Sequence, residues 1–171
     1  MTIAELIASL KNQSADSAFQ RSVHDNAQFK YVSEVSELSE TIDAINTLVP
    51  DCPSDLIDLW RITQSATLFQ DVEYGQWGLD LLSPGKSVAA TIDFRSKRTK
   101  DFLDGDCVVG VFLGDSDLLL VRCDPLQKDY GNVLVALPID HRQEWYHVAT
   151  SLSDFLAGYI AARGGKFWEA G

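Results

Sequence analysis

The chain has 171 residues, of which 46% are hydrophobic and 23% charged. This is the size and composition of one globular domain; it excludes wholesale disorder, and no apolar run approaches the roughly 18 residues of a membrane-spanning helix. The net charge of -11, from 14 Lys and Arg against 25 Asp and Glu, argues against free nucleic acid or an anionic membrane as a partner and would draw a cationic one.

Taken in chain order, the N-terminus carries Glu5 where a secretory leader would carry Lys or Arg. Residues 1–30 read as an N-terminal helical extension of a single domain spanning 1–171, with Asn12 to Ser22 its loosest stretch. Leu38, Ile42 and Ile45 then fall at i, i+4 and i+7, one face of a helix. Pro50-Asp51-Cys52-Pro53 interrupts it. A second helix is expected to start at Pro53, with Asp55 in its first turn and Leu56, Leu59 and Trp60 on its apolar face.

The middle of the chain reads as strands: Trp77–Leu82, Cys107–Leu113, Leu118–Cys123 and Val133–Leu137. The turn Gly114-Asp115-Ser116 makes the second and third a hairpin, and Asp129-Tyr130-Gly131-Asn132 turns into the fourth. Their near-continuous apolar character points to burial on both faces, or on one face plus a helix, and the short connections predict an antiparallel meander. A last helix follows, with Ser151 as N-cap and Asp154 three residues on. Leu152, Phe155, Leu156, Tyr159 and Ile160 form its apolar stripe, and Gly164-Gly165 its left-handed stop.

Chemistry is sparse. Gly110 to Asp115 has an acid where a phosphate-binding loop needs Lys. His24, His141 and His147 are scattered and Cys52, Cys107 and Cys123 form no CxxC pair, so spacing gives a zinc site little support and a disulfide framework none. Cys107 and Cys123 lie in apolar runs as small hydrophobes, which fits a reducing cytoplasm. Asp104-Gly105-Asp106 and Asp115-Ser116-Asp117 lack the later ligands of a calcium loop and read as turn aspartates. Cys52, at a helix start, is the one nucleophile candidate for an enzyme reading. The expectation is a protein with no catalytic residues, no metal and no cofactor.

Charge placement is more informative. Ser33 to Trp60 holds seven acids and no Lys or Arg; Asp101 to Asp140 holds eight acids against Arg122 and Lys128. Between them lies a basic knot, Arg95 to Lys100, read either as a solvated loop or as a contact for an acidic patch on a second copy. Acids with neighbouring aromatics suggest a protein-binding surface made of Asp71, Glu73, Tyr74, Trp77, Asp104, Asp106, Asp115, Asp117, Asp129 and Tyr130. Tyr74 and Tyr130 read as exposed, Trp60 as core, and for Trp77 the two readings stand level.

The order of elements from Val35 to Gly165 resembles the SUKH superfamily, the Smi1-like proteins. The resemblance is carried by Leu48-Val49-Pro50-Asp51-Cys52-Pro53-Ser54-Asp55-Leu56, by Trp77-Gly78-Leu79 entering a strand, by the strands VVGVFLGDSDLLLV and GNVLVAL, and by Val148 to Leu156 with its Ser-x-x-x-Phe-Leu helix. The sequence departs at Arg61 to Ala66, where the family commonly has a Gly-containing turn. The resemblance implies an α+β fold, a twisted, mainly antiparallel sheet packed against helices. It also implies an immunity protein that blocks a cognate bacterial toxin by stoichiometric binding, here a basic nuclease-type domain. A Smi1-like regulatory scaffold with a cellular partner is the alternative, and weak self-association is left open.

Overall fold

The computed structural model of the protein describes residues 1–16, 31–37 and 42–169. Its elements are α1 (Ile3–Asp16), β1 (Tyr31–Val35), α2 (Ile42–Leu48), α3 (Ser54–Ile62), β2 (Ala66–Asp71), β3 (Leu79–Leu81), α4 (Pro84–Lys97), β4 (Asp106–Phe112), β5 (Leu118–Arg122), β6 (Val133–Ala136), β7 (Tyr146–Ala149) and α5 (Leu152–Ala161). The seven strands form one sheet in the order of the chain, every neighbouring pair antiparallel. This is the α+β meander that the four apolar runs predict.

Strand alternation explains why those runs look continuous. Cys107, Val109, Leu119, Val121, Val133 and Val135 face a core built with α1, α3 and α5. Val108, Leu118, Leu120, Leu134 and Ala136 face a second cluster with Phe102 and Trp145. With both faces covered, neither set of alternate residues is polar.

Several local expectations hold. Ser151 caps α5, its hydroxyl accepting from the Asp154 N–H at 3.1 Å. Gly164 turns left-handed at φ +80° after α5. Pro53 sits one position earlier than expected: it is the N-cap of α3, and its carbonyl accepts from Leu56 and Ile57. Ile45 is fully buried on α2, whereas Leu38, its expected partner, lies outside the described residues. Residues 17–30 of the expected extension also lie outside them. At Arg61 to Ala66 the turn needs no glycine, because the Thr63 hydroxyl lies between the carbonyls of Ser36 (2.6 Å) and Ser65 (2.8 Å).

The unexpected helix is α4. The strand β3 has only three residues, so the first half of β4 lacks a strand neighbour on that side. Ser87, Thr91 and Arg95, spaced i, i+4 and i+8 on α4, cover this edge. Ser87 donates to the Val108 carbonyl, Thr91 Oγ1 accepts from the Val108 N–H at 2.9 Å, and Arg95 Nη2 donates to the Asp106 carbonyl at 3.2 Å. Buried backbone groups must be paired, and here side chains do what a strand would.

Candidate partner-binding surface

The antiparallel ladder sorts the ten expected site residues onto two opposite ends of the sheet. One end carries the β2–β3 and β4–β5 connections, and with them Asp71, Glu73, Tyr74, Trp77, Asp115 and Asp117. The other carries the connection into β4 and the β5–β6 connection, and with them Asp104, Asp106, Asp129 and Tyr130. The ten residues therefore do not form one patch.

At the first end, Asp71 is buried and closes its own turn, its carboxylate accepting from the Glu73 N–H at 2.9 Å. Trp77 is half-buried and its Nε1 donates to the Gly164 carbonyl at 3.0 Å. Asp117 is buried and Asp115 half-exposed; Lys166 reaches both, at 2.7 and 2.5 Å. Burial works against the Lys166 ammonium, but the hydrogen bonds to Asp115 and Asp117 outweigh it and raise its pKa. Glu73 and Tyr74 are exposed in the β2–β3 connection, beside exposed Val72. The neighbouring Glu73 charge raises the Tyr74 pKa, so the phenol stays protonated.

At the second end, Asp106 is withdrawn from any partner. Its side chain has no exposed surface and accepts from Arg122 (2.7 Å), Arg142 (2.6 Å) and the Leu103 N–H (2.7 Å). Arg122 also holds Asp129 at 2.8 Å. Burial opposes the Arg122 charge, but its hydrogen bonds to Asp129 and Asp106 outweigh that and raise its pKa. Asp104 is fully exposed, with Arg95 no nearer than 3.9 Å. Three loops meet here. The Cys123 N–H donates to the Gly105 carbonyl at 2.6 Å, and Gly131 packs towards Pro53. They bring exposed Asp51, which is not among the ten expected residues, alongside exposed Leu103, Leu126 and Tyr130.

The basic knot resolves into fixed contacts. Lys97 pairs with Asp93 at 2.7 Å on α4. Arg98 donates to the carbonyls of Leu137 (2.7 Å) and Asp140, and its guanidinium lies 5.3 Å from the Trp145 ring centre; Arg142 lies 5.2 Å from the same ring. Arg98 thus binds the β6–β7 connection onto the end of α4, and the solvated-loop reading fails for it. His141 and His147 are exposed, as rim residues should be.

The scattered cysteines do converge, against what their spacing suggests. Their three sulfurs lie within 4.8 Å of one another. No helix among the described residues is long and apolar enough to cross a membrane.

The profile of the SMI1 / KNR4 family (SUKH-1) matches residues 36–158. The chain belongs to that family. The match covers α2 through most of α5 and leaves α1 and β1 outside it. Comparison with curated proteins finds no match.

Proposed function

We propose that this SUKH-1 protein is an immunity protein that binds a cognate toxin, a basic nuclease-type domain, and occludes it stoichiometrically without turnover. The observation that carries the reading is the second end of the sheet. There exposed Asp51 and Asp104 stand beside exposed Leu103, Leu126 and Tyr130, on a family member with a net charge of -11. Carboxylates of this kind steer a basic surface into register, and the apolar side chains supply contact area once water is displaced. A nuclease must present cations to hold phosphates, so a protein seated on those cations excludes the substrate.

The test is inhibition of a basic toxin nuclease domain encoded beside this gene, with nuclease activity followed as the protein is added. Complete loss at one equivalent, with the complex weakening at high salt, is the expected result. A toxin that stays active at excess protein, together with stable capture of a housekeeping protein, moves the function to a regulatory scaffold.

A further inference from the structure

Cys52 lies in the loop between α2 and α3, Cys107 is the second residue of β4, and Cys123 directly follows β5. The β4–β5 register opposes Cys107 to Val121. Cys123, two residues beyond Val121, therefore points to the same face of the sheet as Cys107. The Val49–Pro53 loop lowers Cys52 onto that face, where its sulfur comes 3.2 Å from that of Cys123. Packing alone does not require this: three small hydrophobes would fill the space without placing three sulfurs on one another.

The spacing suits metal coordination. Ligand sulfurs about 2.3 Å from a tetrahedral cation stand about 3.8 Å apart. Here the sulfur separations run from 3.2 Å to no more than 4.8 Å, which brackets that value. The closest pair has to open by about 0.6 Å, and Cys52 lies in the connection between α2 and α3 rather than in a strand. Beside the sulfurs lies an open cleft of about 340 Å³, lined among others by Asp51, Thr91, Ile92 and Arg95. It gives a cation an entry path and room for a fourth ligand from solvent. Arg95 Nε is buried at this cleft with no hydrogen-bond partner. A divalent cation on three thiolates leaves one net negative charge, which a neighbouring guanidinium offsets.

Metal ligation requires the thiolate form, so an incoming cation displaces the thiol protons.

We propose that Cys52, Cys107 and Cys123 form a binding site for one thiophilic d10 cation of the Zn²⁺ type, with its fourth position open to the cleft. Three metal–sulfur bonds form on binding, the protons still held by the thiols pass to buffer, and no electrons are exchanged. Soft thiolate ligands select such ions over Mg²⁺ or Ca²⁺.

The experiment uses the full chain, kept reduced without oxygen and titrated with Zn²⁺ against a chromophoric chelator. Cd²⁺ serves in parallel to report sulfur ligation by its ultraviolet charge-transfer band. The expected result is one equivalent bound, the charge-transfer band, and a melting temperature that rises with free Zn²⁺. Cys52→Ser, on a half-buried loop, should keep the fold by circular dichroism and weaken binding by at least about 10-fold; Cys107→Ser should do the same. Failure to take up Zn²⁺ overturns the proposal, as does uptake that survives Cys52→Ser unchanged. A chain that ignores Zn²⁺ but forms a Cys52–Cys123 disulfide on mild oxidation also overturns it, in favour of a redox pair.

Discussion

Asp106 and Arg122 face each other across the β4–β5 ladder, carboxylate to guanidinium at 2.7 Å, with the carboxylate wholly buried. Arg142 takes the other oxygen from the β6–β7 connection, so one acid ties three parts of the chain. Removing it leaves Arg142 without its anion and Arg122 with Asp129 as its remaining carboxylate, beside a buried site. Asp106→Ala should therefore cost about 3–5 kcal/mol and lower the melting temperature by roughly 10 °C. Urea unfolding of this variant and of Asp104→Ala separates the two neighbours: the fully exposed Asp104 should leave the transition where it was.

The α4–β4 contact makes a second, narrower test. Thr91→Val keeps the shape of the side chain and removes the acceptor for the Val108 N–H. A buried amide left unpaired costs about 1–3 kcal/mol. Amide hydrogen exchange should localise the effect, with Val108 exchanging much faster than its neighbours on the β5 side. Uniform exchange along β4 would mean that α4 is dispensable to that edge.

These contacts also mark where the sequence ceased to be legible. β4, β5 and β6 were readable because burial on both faces leaves a dense apolar run, and α5 because its cap, stripe and glycine stop agree. α4 was not, since it docks through Ser87, Thr91 and Arg95, and hydroxyls at i, i+4 carry no hydrophobic signature; Ser83-Pro84-Gly85 reads as a turn although Ser83 caps the helix. β2 hides behind Phe69, whose left-handed φ of 51° interrupts regular alternation. For the surface, charge in the sequence located the acids but not their partners. Asp106 and Asp117 look like Asp104 in one dimension, yet Arg122, Arg142 and Lys166 reach them from remote positions. Cysteine spacing fails for the same reason, because sheet register brings together what the chain separates.

The two ends of the sheet can be told apart by charge reversal. Asp51→Lys with Asp104→Lys should slow association with a basic toxin domain by about 10-fold at low salt and flatten its salt dependence. Glu73→Lys with Asp115→Lys, at the opposite end, should leave the association rate nearly unchanged. Stopped-flow association at two ionic strengths reads both. The reverse pattern would transfer the interface to the Tyr74 end.

Lys166 gives the alkaline limb of stability. Its folded pKa stands above the ordinary 10.5, because the hydrogen bonds to Asp115 and Asp117 outweigh burial. Its contribution is therefore complete below about 10.5 and disappears as the pH rises through the higher folded value. Lys166→Met should be less stable than the parent at neutral pH and should lose less on going to about pH 12. Urea midpoints across that range decide it, and parallel curves would show that the lysine is not coupled to folding.

The family segment begins at residue 36, yet α1 precedes it and sends Ile3, Leu6, Ile7 and Leu10 into the main core. Each is at most 3% exposed, and the helix packs on α3, α5 and β1. A peripheral extension would tolerate truncation of such residues, because nothing in the domain would lose a contact. A core element would not: Ile7→Ala should cost about 2–5 kcal/mol, from lost burial plus the cavity left between α1 and the helices beneath it. The urea slope distinguishes the two cases further. If α1 folds with the domain, the midpoint falls and the slope stays fixed. If it frays alone, the midpoint stays and only amides of α1 gain exchange. The first outcome would make α1 part of the folded core, although it precedes the segment that the family profile matches.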